Sequence, residues 1–278
     1  MKTFFFMAGL PRAGSTLLSA LLNQNPQIHA TANSPVLTLM SSIEQFLKQD
    51  EMFNADPRPD SAHSVIAKVI QGYHSDVSKP IVIDKNRGWV SHVDFIRHYL
   101  NIEPKIICPV RNMDEVLASF IAMHRRNGMV SSTGRLNFID TQLVQQGIAL
   151  TDDERCKFLA GQGIVGSSYS NLRDALAAGH DKYVHLVEYD DLVNSPQETL
   201  NRVYDFLELD RFEHDFTSVS NTRQERDAEV HGFKDMHHVR KIVGKTSIEP
   251  KDILSEEILA NCKGAEFWRD LEPNEGEQ

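Results

Sequence analysis

Cysteine is scarce in this chain of 278 residues: Cys108, Cys156 and Cys262 stand far apart, with no C-x-x-C pair and an odd count. A disulfide framework is excluded as an organising device, and reduced thiols in a cytosol are expected. Long apolar runs are missing as well; no stretch approaches the roughly 18 apolar residues that span a bilayer. Met1 to Ala8 is briefly apolar but leads into Pro11-Arg12 without a small-residue cleavage site, so it reads as a strand rather than a signal peptide. A soluble, cytoplasmic protein with no membrane partner is the expectation. Positive charge is the third deficit, with 29 Lys and Arg against 39 Asp and Glu and a net charge of −10. That balance argues against a nucleic-acid or anionic-membrane binder, while leaving room for local basic sites that hold small anions. At 41% hydrophobic, the chain can bury one large core, and a single domain over residues 1–278 is expected.

What the chain does have is an alternation of strand and helix patterns. The Phe-rich run from Thr3 to Ala8 stops at Gly9, and Leu17, Leu18, Leu21 and Leu22 then recur at helical spacing. Further buried strands are expected at Pro80 to Asp84, Pro104 to Val110 and Tyr183 to Val187. Helices are expected over Val36 to Lys48, Ser61 to about Gly72, Ser91 to Leu100, Arg111 to about Asn127, and Ser195 to Leu207. His29 to Pro35 reads as a polar connection, and Asp50 to Asp60, with Pro57 and Pro59, as a surface loop. Residues 128–180 read as a helical insertion: a short helix near Asp140 to Gln146, then a long one from Thr151 to Ala178 whose middle Gly161, Gly163 and Gly166 weaken, so that a break is expected there. Residues 211–250 lack periodicity and suit a lid loop; two short helices and an acidic tail follow. The economical fold is α/β, three layers, with a central mostly parallel sheet and helices on both faces.

The chemistry sits at Gly9-Leu10-Pro11-Arg12-Ala13-Gly14-Ser15-Thr16. Strand, Gly-containing turn and helix aim backbone N–H groups and a helix N-terminus at an anion. The Ser15 and Thr16 hydroxyls add hydrogen bonds, and Arg12 a planar fork of donors. The spacing Gly9-x4-Gly14-x-Thr16 fits a Walker A frame, yet Ser15 stands where that motif has its lysine. A second candidate is Arg111, at a strand–helix junction, with Ser119 two helical turns on; charge and hydroxyl together suit one phosphate.

Pro11-Arg12-Ala13-Gly14-Ser15-Thr16-Leu17-Leu18, ending in Asn25-Pro26, resembles the 5′-phosphosulfate loop of sulfotransferases that use 3′-phosphoadenosine-5′-phosphosulfate (PAPS). The likeness is greatest to the tyrosylprotein and carbohydrate branch. Val110-Arg111-Asn112, Glu115-Val116 and Ser119-Phe120 resemble the family's 3′-phosphate segment. Glu188-Tyr189-Asp190-Asp191-Leu192 is similar to a segment whose Tyr borders the nucleotide. The resemblance implies a P-loop-like fold and metal-free transfer of the sulfuryl group of PAPS to a hydroxyl or amine, leaving the diphosphate product PAP. It also implies that the loop from Pro11 to Leu17 holds the 5′ end, that Arg111 and Ser119 hold the 3′-phosphate, and that Tyr189 borders the nucleotide. Arg12 and Lys85 would stabilise the transition state. Arg240 and Lys245 would belong to a basic closing loop on the 3′-phosphate side.

The general base is where the resemblance departs. Counting from Arg12, the position of the tyrosylprotein branch's Glu is Asn33, and the cytosolic branch's His after the strand-end lysine is replaced by Asn86-Arg87. Asp84, His29, His92 and His124 are base candidates by neighbourhood. His231, His237 and His238 lack the spacing of a zinc motif, so no metal is expected. Two other readings stand beside the sulfotransferase. One is an ATP-dependent P-loop kinase, with Ile81-Val82-Ile83-Asp84 as a Walker B strand holding Mg²⁺; the other is a nucleotide-binding module without activity. Neither the hydroxyl-bearing acceptor (small molecule, carbohydrate or peptide) nor the oligomeric state has a signal in the sequence.

Overall fold

A computed structural model of the chain describes residues 2–128, 134–220, 226–234, 236–245 and 248–270. Its centre is one sheet of β1 (Thr3–Met7), β2 (Ile28–Ala30), β3 (Ile81–Lys85), β4 (Ile106–Val110) and β5 (Val184–Glu188), in the order β2-β3-β1-β4-β5. Every neighbouring pair is parallel, so each connection has to cross over a face, and helices make those crossings. The first half contributes α1 (Ser15–Leu22), α2 (Val36–Gln49), α3 (Glu51–Ala55), α4 (Pro59–Tyr73), α5 (Val93–Leu100) and α6 (Met113–Asn127). The second contributes α7 (Phe138–Gln145), α8 (Asp152–Ala160), α9 (Ile164–Ala177), α10 (Tyr189–Asn194), α11 (Pro196–Leu207), α12 (Asp227–Val230) and α13 (Glu256–Cys262).

The unbroken apolar run of β1 is explained by burial on both faces. Phe6 and Ala8 point into a core with Val36, Met40, Trp89, Ile106 and Cys108. Phe5 and Met7 point the other way, against Leu18 and Leu21 of α1 and Leu200 and Val203 of α11. A third cluster lies off the sheet, where Phe120 and Ile121 of α6 meet Ile139, Leu159, Phe233 and Ile258. No helix among the described residues is long and apolar enough to cross a membrane.

Two expectations are corrected and a third is met. The connection after His29 overlaps a strand, β2: its three residues are too few to show alternation, and Asn23 holds its end by bonding both Ala30 N–H and C=O. The expected loop from Asp50 holds the one-turn helix α3, capped by the Asp50 carboxylate on Phe53 N–H at 2.8 Å. The break expected in the long helix of the insertion is there and divides it into α8 and α9. At the break, a Cβ on Gly166 would stand 2.2 Å from the carbonyl oxygens of Ala160 and Gly161, so the α8–α9 approach requires glycine there. The second of the pair, α9, returns Leu172 and Ala175 to the main core. The lid segment 211–250 contains α12; its residues 221–225, 235 and 246–247, and the acidic tail 271–278, lie outside the described residues.

The strand order reverses direction at β1, with β3 on one side and β4 on the other. Ligands of open parallel sheets gather outside the C-terminal strand ends at such a reversal. Here the ends of β1, β3, β4 and β5 deliver Arg12, Lys85, Arg111 and Tyr189 to one place.

Candidate functional site

The turn between β1 and α1 takes positive φ three times, at Gly9 (φ 88°), Arg12 (φ 62°) and Gly14 (φ 87°). Gly14 is required for two reasons: its φ, and a Cβ there would stand 3.0 Å from the Tyr189 ring. No side chain caps the first turn of α1. Its positive end is directed at a cavity lined by Pro11, Arg12, Gly14, Ser15, Thr16 and Leu17. Ala13 packs into the core beneath the turn.

The second candidate pair meets the turn directly. Arg111 Nη1 donates to the Arg12 carbonyl oxygen at 3.2 Å, and Arg12 Nε donates to Ser119 Oγ at 3.1 Å. Arg111 is also fixed from below by the Tyr189 ring, 4.0 Å from its guanidinium carbon, and from the side by Glu115 at 3.0 Å. Arg12, Arg111, Ser119 and Tyr189 therefore line one cavity together with the turn. Burial, and next the neighbouring Arg111, push the Arg12 guanidinium down to about 10, still charged at neutral pH. Two arginines held this close in a buried place, one of them paired with Glu115, gain from an anion bound in the cavity.

The other candidates are distributed unevenly. Lys85 is buried at the end of β3, its N–H held by Thr31 Oγ1 at 2.8 Å, and it lines the cavity. Arg240 lines the same cavity and donates to the Gly244 carbonyl. Lys245 sits behind Arg111, bridging Glu115 at 3.4 Å and Asp190 at 3.0 Å. None of the four base candidates lines this cavity or the one beside it. Asp84 is fully buried and spends its carboxylate on His74 and Trp89 Nε1. His124 bonds Asp140, His92 bonds the Gly88 carbonyl, and His29 lies against His74 within β2.

The neighbouring cavity, of about 500 Å³, is walled by Asn33, Pro35, Phe138, Ile164 and His231, and it shares Arg87, Met236 and His237 with the first. Sequence reasoning did not single out Arg87 or Asp227 and gave His237 no role. His237 Nδ1 lies 2.6 Å from Asp227 Oδ1, and its backbone N–H donates to Asp227 Oδ2 at 2.8 Å. Asn33 Nδ2 lies 3.2 Å from His237 Nε2. The Met236 carbonyl accepts from Arg12 Nη1 at 2.6 Å, which ties this late segment to the first turn. Ligand-type atoms of Asp227, His231 and His237 all fall within 4.8 Å of one another, a clustering that residue spacing alone did not show. No local motif in the sequence joins the late chain to position 33.

A parallel sheet reversing at its central strand, with an anion-directed turn at that strand's end, defines a P-loop-like α/β protein. The profile of the sulfotransferase family matches residues 5–214, and the chain belongs to that family. Among solved structures it is similar to the sulfotransferase domain of the Synechococcus PCC 7002 olefin synthase, at 19% identity and TM-score 0.53, covering 98% of this chain and 96% of that one. It is similar to the sulfotransferase domain from the curacin biosynthetic pathway at 18% identity and TM-score 0.53, covering 98% and 99%. Mouse sulfotransferase SULT7A1, complexed with PAP, matches at 12% identity and TM-score 0.50, covering 92% of this chain and 80% of that one. At these identities the likeness is one of fold. No curated protein matches the sequence.

Proposed function

We propose that the protein is a PAPS-dependent sulfotransferase, acting on a hydroxyl or amine. The observation that carries this reading is the Arg111–Arg12 contact, which places the early turn and the Arg111–Ser119 pair on the wall of one cavity. PAPS has two separated anionic ends, and the chain offers two adjoining sets of donors. The turn with Ser15 and Thr16 takes the 5′-phosphosulfate; Arg111 and Ser119 take the 3′-phosphate. The donor supplies an activated sulfuryl group. Arg12 and Lys85 supply fixed positive charge where negative charge grows on the departing phosphate, in a buried site where such charge acts strongly. PAP bound in the mouse structure named above fits this reading.

The kinase reading is less well supported, because the Walker B-like Asp84 is committed to His74 and Trp89 and lines neither cavity. Calorimetric titration with PAP, without Mg²⁺, distinguishes the readings. Binding of PAP, with a ligand-dependent rise in unfolding temperature of the kind mass action requires, supports the transferase. Stabilisation by Mg·ATP and not by PAP overturns it. Lys85→Ala separates enzyme from inactive module: an enzyme is expected to lose roughly 10²-fold or more in PAP release from PAPS, whereas an inactive module has no turnover to lose.

A further inference from the structure

We infer that His237 is the general base of this transfer, with Asp227 as its positioning residue, and that the cavity beyond it receives the acceptor. The inference rests on the sulfuryl-transfer reading above. His237 occupies the wall common to both cavities, with the charged turn on one side and Asn33, Phe138 and Ile164 on the other. It is buried, and Asp227 grips it twice, through the ring Nδ1 at 2.6 Å and the backbone N–H at 2.8 Å. A carboxylate accepting Nδ1–H fixes the tautomer in which Nε2 carries the lone pair. Asn33 Nδ2, 3.2 Å from Nε2, is then the donor to that nitrogen.

The step balances as follows. An acceptor hydroxyl replaces the Asn33 N–H on Nε2 and gives its proton to that nitrogen. Its electron pair forms the new O–S bond, while the S–O bond to the 5′-phosphate breaks and that pair leaves on PAP. Arg12, joined to the Met236 carbonyl next to His237, keeps the base in register with the departing phosphate. Among the described residues, the charged and titratable groups facing His237 include Asp227 and His231 from the α12 segment, Arg87 from the β3 end and Arg12 from the turn.

The test uses the full chain with His237→Gln and Asp227→Asn. In the unliganded protein, ¹⁵N chemical shifts of the His237 ring report the tautomer, and Nδ1–H in the wild type is expected to give way to a mixture in Asp227→Asn. PAP release from PAPS, with water as acceptor, is expected to fall roughly 10²-fold or more in His237→Gln, with the acidic limb of its pH profile abolished and PAP affinity retained. An Nε2–H tautomer in the wild type, or a His237→Gln rate within threefold with the acidic limb intact, overturns the inference. So does stoichiometric zinc in the purified protein whose removal abolishes turnover, because His237 would then be a metal ligand beside Asp227 and His231. Failure of the wild type to bind PAP would strike the transferase reading instead, and the tautomer still decides the dyad.

Discussion

Arg111 shows how much one side chain is asked to do. It donates to the Arg12 carbonyl at 3.2 Å and to Glu115 at 3.0 Å, and it lies 4.0 Å over the Tyr189 ring. A planar fork and a flat cation are both needed for that, and lysine offers neither. Arg111→Lys is expected to weaken PAP binding by about 10-fold or more, since losing a charge-assisted bond costs about 1.5–3 kcal/mol; calorimetric titration reads it, and unchanged affinity would remove Arg111 from the site. Gly14→Ala forces a Cβ into the left-handed region and to 3.0 Å from Tyr189. The conformational part alone costs roughly 1–2 kcal/mol, so both the unfolding midpoint in urea and PAP affinity should fall. These residues were legible because each sits in a short contiguous pattern: turn glycines before a helix, or arginine at a strand end with serine two turns on. His237 and Asp227 were not, because what makes them a pair is a hydrogen bond within an aperiodic segment. What gives the pair a place to act is Asn33, 204 residues earlier.

At the scale of elements, the helices beside the sheet are locked by a buried ionic knot. Asp140 of α7 accepts from His124 of α6 at 2.8 Å, from Arg155 of α8 at 2.7 Å and from Asn137 at 2.9 Å. Burial alone would raise its carboxyl, but the bonds from His124, Arg155 and Asn137 outweigh it and hold Asp140 at about 2. Arg155 is nearly as buried as its partner. Asp140→Ala therefore takes from a buried guanidinium one of its two carboxylates, leaving Asp152 at 3.0 Å, and removes the acceptor of the buried His124; we expect a stability loss of about 1–3 kcal/mol, seen as a lower urea midpoint with an unchanged slope. A loss below about 1 kcal/mol would mean that water reaches Arg155 freely. The knot was invisible in the sequence for the same reason as β2: neither has a period. Strands buried on both faces were legible as apolar runs, and α6 as the helix that follows one. The three residues of β2 are placed by pairing with β3 and by Asn23, which is tertiary information. The division of α8 from α9 was legible in its three glycines, and the close backbone approach at Gly166 is the packing reason for it.

For the whole molecule, net charge and site charge have opposite sign. The chain carries −10, yet Arg12, Lys85, Arg87, Arg111 and Arg240 converge on one cavity, so anion binding here is local rather than a property of the global field. The response of the fold to acid is likewise set by a few groups. Burial, then Arg202, lowers His185 to about 4, and its ring stacks on Phe206 of α11. Burial lowers His214 to about 4 as well, where it meets the Tyr204 hydroxyl at 3.2 Å. Both histidines thus pack against α11, and both are held neutral by the fold. With folded values near 4 and ordinary values of 6.5, the unfolded chain binds the extra protons across that window. Stability is therefore complete above about 6.5 and drains as pH falls towards 4, by on the order of 2 kcal/mol per histidine once partial exposure is discounted. Asp140, at about 2, adds its loss only below the ordinary carboxylate range, so the first acid transition belongs to the histidines. Urea midpoints measured from pH 7 to 4 should drop steeply in the wild type and much less in the His185→Gln, His214→Gln double variant. If the two curves run parallel, the acid sensitivity lies elsewhere, and the α11 face of the sheet is wetter than its burial implies.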